Sequence, residues 1–198
     1  MGIREKKIMI DHNLKVVAVH IPKSGGLSIR YILFNRQPDR FMHCKPNHPD
    51  YEKYWNDYFT FTFVRNPFDR LVSGYLFTLN KKNDNKEFYT DITNEKYKDF
   101  NDFIINCNHE TLITILRFEP QVNWIRGYKY NFIGRFENLE EDLKTLQYQL
   151  DLEIKNLPLI NNTINRKPYW EYYTEESKEI VENLYKDDLM FFNYKFDE

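Results

Sequence analysis

The sequence predicts an α/β domain with a central, mainly parallel sheet flanked by helices. Three stretches carry that expectation. Val16 to Val19 is an unbroken apolar run rich in β-branched residues, and helical spacing follows it at Ser28, Ile29, Ile32 and Leu33. Phe59, Phe61 and Phe63 alternate with Thr60 and Thr62, and Asn66-Pro67 then opens a helix. Tyr128 to Gly134 reads as a third strand ahead of the leucine-striped stretch Asn138 to Leu150. Strand followed by helix, repeated along a chain, is the pattern of a parallel sheet.

Taken in order, residues 1–13 read as a polar lead-in and about 14–21 as the first strand, with a helix over about 26–36. Pro38, Pro46 and Pro49 mark residues 37–50 as loop, with a short helix around 50–57. Asn66 is suited to cap the next helix, with Pro67 at its first position and Asp69 as the acidic residue of the first turn. Leu71, Tyr75, Leu76 and Leu79 give that helix an apolar face. Lysine and asparagine dominate 80–96, an expected exposed loop, while 97–107 is read as helical and 109–127 is ambiguous. Asn138 and Glu141 resemble a capping box, residues 151–172 are irregular, and a last helix is expected from about Thr174 to Tyr185. Residues 1–198 are read as a single domain.

Composition removes several function classes. Hydrophobic content of 41% and aromatic content of 17% argue against disorder. A net charge of −2 argues against nucleic acid as a partner held by bulk charge. Two cysteines, Cys44 and Cys107, are too few for a disulfide scaffold and lack metal-ligand spacing, so no metal is expected. No apolar run approaches a membrane span, and Met1 to Asp11 lacks a signal-peptide core, which points to the cytoplasm. A shortened Golgi-type chain is the alternative.

The chemistry concentrates in two places. Val16 to Ile32 reads as strand, glycine turn and helix start, an arrangement that aims backbone N–H groups and a positive helix end at an anion. Lys23 adds a point charge beside them. Arg65 closes the second strand, and Ser73 lies seven residues after Asn66, close to two helical turns. A guanidinium fork and a hydroxyl suit a second phosphate group. Two anion sites on one sheet edge suggest a nucleotide with two separated anionic groups. ATP or GTP hydrolysis fits poorly, since a P-loop places its lysine after the last glycine, and here Lys23 precedes Gly25-Gly26.

His20 to Ile29 resembles the 5′-phosphosulfate loop of the sulfotransferases that use 3′-phosphoadenosine-5′-phosphosulfate, and Phe63 to Ser73 resembles their 3′-phosphate motif. Phe132 to Leu139 and the ending Tyr185 to Tyr194 are similar to the carbohydrate branch of that family, the Golgi-type and bacterial enzymes that include glycosaminoglycan O-sulfotransferases. The resemblance runs from about 15 to 194. It implies a P-loop-NTPase-like three-layer domain and transfer of a sulfuryl group to an acceptor hydroxyl, on a carbohydrate by preference, with no metal.

The same resemblance implies roles. Lys23 would neutralise the leaving phosphate, and Pro22, Lys23, Ser24, Gly25, Gly26, Leu27 and Ser28 would form the 5′ loop. Arg65 and Ser73 would take the 3′-phosphate. Arg135, Arg166 and Lys167 are further candidate nucleotide contacts, with a surface salt bridge or a packed corner as the bland alternatives. His43 is the candidate general base and His48 the runner-up, because some glycosaminoglycan sulfotransferases carry a catalytic histidine in this interval. His20 is read as structural. Two departures stand out. Leu27 occupies a position where the family usually has Thr or Ser, so a side-chain contact is missing while the backbone N–H remains. Asn193 occupies a usual Gly position. A catalytically silent nucleotide- or carbohydrate-binding protein of the same fold, and a small-molecule kinase, are the competing readings.

Overall fold

The computed structural model describes residues 8–26, 29, 43–79, 96–152 and 166–197. The chain divides into two compact units, Met1–Arg65 with Asn123–Thr163, and Asn66–Val122 with Ile164–Glu198.

The first unit holds a four-stranded sheet in the order β1 (Ile10–Asp11), β2 (Val16–Val19), β3 (Phe59–Val64) and β4 (Phe132–Arg135). β2, β3 and β4 run parallel, with Ala18 beside Phe61 and Phe61 beside Phe132, whereas β1 pairs antiparallel with β2. This is the mixed α/β class the sequence predicts: a mostly parallel sheet flanked by helices. β1 corrects the expected polar lead-in. Ile10 pairs with Val17, and Met9 is buried, its N–H donating to Tyr51 Oη at 3.2 Å. Tyr51 belongs to α1 (Pro49–Glu52) and donates its own hydroxyl to Ala18 O, which ties that short helix to β2.

Period-two alternation sends Val16, Ala18, Phe61 and Phe63 to one face, where Met9, Ile29, Leu143 and Leu146 complete a core. Leu143 and Leu146 come from α5 (Leu139–Gln149), within the span expected for it. The predicted Asn138 capping box does not form, because Asn138 makes no side-chain cap. The carboxylate used is that of Asp142, which accepts from the Arg135 N–H and joins the end of β4 to the first turn of α5. The helix expected over 26–36 begins at Gly26, where the Ile29 N–H donates to Gly25 O at 3.3 Å. Leu27, Ser28 and residues 30–42 lie outside the described residues, as do 80–95 of the expected loop.

The second unit is helical: α2 (Pro67–Leu79), α3 (Phe100–Asn106), α4 (His109–Leu112), α6 (Glu175–Leu184) and α7 (Lys186–Phe192). Asn66 caps α2 as predicted, its Oδ1 accepting from the Phe68 N–H at 3.1 Å. Phe68, Leu71, Val72 and Tyr75 pack with Phe100, Phe103, Phe118, Val181 and Tyr185 into an aromatic-rich core. Beyond the last helix that the sequence predicts, Lys186–Phe192 forms α7, stopped by Asn193 at φ 53°, ψ 49°.

Candidate functional site

Parallel strands present their carboxyl ends together, and open α/β sheets bind ligands there. In the first unit β2 delivers His20 to Gly26 to this edge, β3 delivers Arg65 and β4 delivers Arg135. Thr62 Oγ1 donates to Val19 O at 2.8 Å and fastens the last residue of β2 to its neighbour.

The turn after β2 is tightly specified. Pro22 and Ser24 are buried, and Lys23 is half-buried with φ 71°, in the left-handed region that a non-glycine residue enters at a cost. Gly25 follows at φ 80°. The Ser24 N–H donates to Ile21 O at 3.3 Å, and Arg65 Nη1 donates to Lys23 O at 3.1 Å. The Arg65 guanidinium also lies over the Phe136 ring, 4.0 Å from its centroid, and a Cβ on Gly25 would meet that ring at 2.8 Å. Arg65 thus clamps the lysine turn from one side, while Phe136 fills the space that Gly25 leaves.

Gly26 starts the helix beneath His20. A Cβ there would fall 1.9 Å from the imidazole. The His43 ring packs on His20 with centroids 4.3 Å apart, and His43 Nδ1 lies 3.2 Å from His20 O. A carbonyl only accepts, so Nδ1 carries the proton of the neutral ring and Nε2 carries the lone pair. The His43 ring is thus held, by its Nδ1–H and by its face, against the residue that follows β2.

His48 is engaged differently. Its Nδ1 accepts from the Asp50 N–H at 3.3 Å, capping α1, and stands 3.6 Å from Asp50 Oδ2. Its lone pair serves the helix. Beside His43, the buried Cys44 thiol is pushed up by desolvation and by Asp50, which opposes the thiolate a cysteine nucleophile requires.

Arg135 ends β4, level with Val64 of β3, and is half-buried. In the second unit Ser73 is half-buried on α2. Arg166 Nη2 is hydrogen-bonded to the carbonyl and carboxylate oxygens of Asp69, and its Nε is buried without a partner among the described residues. Lys167 is exposed. Sequence reasoning treated His20 as structural and missed that its ring and carbonyl both engage His43. Gly26, six residues after His20, is the available signal, since a glycine at a helix start leaves room for a ring to cover it. Among the described residues no group of three or more His, Cys, Asp or Glu is placed to hold a metal, and no helix is long and apolar enough to cross a membrane.

Comparison with known proteins adds two findings. An uncharacterized protein of Archaeoglobus fulgidus is 30% identical over 103 residues, covering 51% of this chain and 74% of that protein. The model of the sulfotransferase family matches residues 6–195, through both units and through the strand–turn–helix that carries Lys23. With a mostly parallel sheet presenting that turn at its carboxyl edge, the chain belongs to the sulfotransferase family, whose chemistry is sulfuryl transfer.

Proposed function

We propose that the chain transfers the sulfuryl group of 3′-phosphoadenosine-5′-phosphosulfate to a hydroxyl of a carbohydrate acceptor, with His43 as the general base. The observation that supports this reading is the His43–His20–Gly26 stack, in which the His43 imidazole lies beside a glycine helix start and a lysine turn.

The residues present fit such a donor. Gly25 and Gly26 bring no Cβ to the turn, the first turn of a helix leaves its N–H groups without intrahelical acceptors, and Lys23 and Arg65 supply positive charge. When bound, the donor supplies an activated sulfuryl group on a phosphate leaving group. Lys23 stabilises negative charge on that leaving oxygen, and the backbone from Ser24 to Ser28 orients the 5′-phosphate. Arg65 offers its fork to the 3′-phosphate. His43 Nε2 takes the hydroxyl proton as the acceptor oxygen attacks. Ser73, as a 3′-phosphate contact, and Arg166 and Lys167, as nucleotide contacts, are candidates on the resemblance of the sequence alone. Arg135 is assigned to the nucleotide from the end of β4.

A thermal-shift titration tests the donor assignment. Adenosine 3′,5′-bisphosphate should raise the melting temperature well beyond ATP or AMP at equal concentration. Equal shifts, or a larger shift with ATP and Mg²⁺, would overturn it in favour of a kinase-type site.

A further inference from the structure

A second groove lies at the opposite end of the same sheet. Tyr58 stands just before β3 and Asn131 just before β4, so both mark the amino ends of the strands. β3 is six residues long, which puts about 20 Å between this end and the Lys23 turn. The groove is lined by Trp55, Tyr58 and Tyr128 together with Glu52, Asn56 and Asn131.

Its side chains are held in place. Trp55 Nε1 donates to Lys129 O at 3.2 Å, and the indole meets Tyr128 and Tyr130 edge-on at 5.1 and 5.0 Å. Asn131 Oδ1 accepts from the Thr60 N–H at 2.7 Å and from Thr60 Oγ1 at 3.0 Å, which leaves its NH2 as the branch for a ligand. The Tyr128 hydroxyl lies 3.5 Å from Glu52 Oε1. Gly127, at φ 87°, leaves open space where a side chain would stand.

Preorganised aromatic surface, a carboxylate and two amides are the chemistry that recognises a sugar, which offers an apolar C–H face and hydroxyls that both donate and accept. One acid, Glu52, and one base, Lys129, line the groove, so no net field draws a polyanion. We propose that this groove binds uncharged sugar units of an oligosaccharide, as a site separate from the donor loop. Its use would be to retain a polymeric acceptor while a distant unit reacts.

The test is ¹H–¹⁵N NMR of the full chain titrated with cellotetraose, chitotetraose and maltotetraose. At least one should shift the Trp55 indole resonance, identified by its absence in Trp55→Phe. Trp55→Ala and Tyr128→Ala should each weaken binding by about tenfold or more. Glu52→Gln, an isosteric change at an exposed site, should weaken it with the fold intact. Adenosine 3′,5′-bisphosphate binding should be unchanged in all three, which separates this site from the donor reading. No indole shift with any of the three sugars would overturn the proposal. So would a shift produced by AMP instead, or sugar binding that survives the substitutions or competes with the bisphosphate.

Discussion

A Cβ on Gly26 would stand 1.9 Å from the His20 ring, and that ring is also the surface on which His43 rests. Gly26→Ala therefore strikes the proposed base and the proposed anion loop at once. Bisphosphate affinity should fall by about tenfold or more, read by calorimetry. The Gly26→Ala/His20→Ala double variant should regain part of that loss, because the obstructing ring is gone. His43 and His48 separate in the same way. Replacing His43 by Ala should lower kcat by about 100- to 10,000-fold, the span typical of a positioned acid–base group, with bisphosphate binding retained. His48→Ala should loosen the cap of α1 and leave kcat near normal, since its Nδ1 serves the Asp50 N–H. The reverse ranking in steady-state kinetics would move the base to His48.

At the scale of elements, helix ends decide most of what can be tested. Thr174 and Ser177 form a reciprocal capping box at the start of α6, so Thr174→Ala should cost about 1 kcal/mol in denaturant unfolding. Asn193 ends α7 in the left-handed region, and its N–H and that of Tyr194 both donate to Leu189 O. Asn is the residue after Gly that tolerates this conformation, which explains physically how it stands in a usual Gly position. Asn193→Ala should cost about 1 kcal/mol, while Asn193→Gly should cost nothing or stabilise. The elements legible in the sequence were those with a clean period and a local stop signal: Val16–Val19, the Phe/Thr alternation of β3, and the Asn66-Pro67 start of α2. β1 was hidden because two residues carry no period, and its pairing with Val16 and Val17 is a tertiary fact. α7 was hidden because its apolar residues are adjacent rather than spaced, so the run reads as a patch. Asn138 was misread because a box needs a side chain in reach of the backbone, and spacing alone does not supply that. Of the candidate site, the Lys23 turn and Arg65 could be read from strand ends. The roles of Phe136 beneath Arg65 and of His20 beneath His43 depend on long-range packing that no local pattern encodes.

At the scale of the whole molecule, each unit has its own core, and the second buries charge within it. Asp188 accepts from the Gln121 and Val122 N–H groups, both at 2.8 Å, with the Arg70 charge acting on it. Burial nonetheless raises its carboxyl above the usual value, and Arg70 and these hydrogen bonds offset that only in part. A raised acid contributes its full stability below its unfolded value of 3.8 and loses it as pH rises through the raised value. Asp188→Asn should remove that slope. It should also destabilise by roughly 2–4 kcal/mol, because an amide cannot accept on both sides and Arg70 loses its counter-charge. Cys107 is buried and pushed up to about 11, so it should resist iodoacetamide at mild pH until the chain unfolds. Sulfuryl transfer itself is the decisive property. The most direct measurement is mass spectrometry of carbohydrate acceptors incubated with an isotope-labelled sulfuryl donor and the wild-type, Lys23→Ala and His43→Ala proteins. Labelled sulfate should appear on an acceptor hydroxyl with the wild type and be lost with both variants. Bisphosphate binding without transfer to any acceptor, or transfer undiminished in Lys23→Ala, would contradict it.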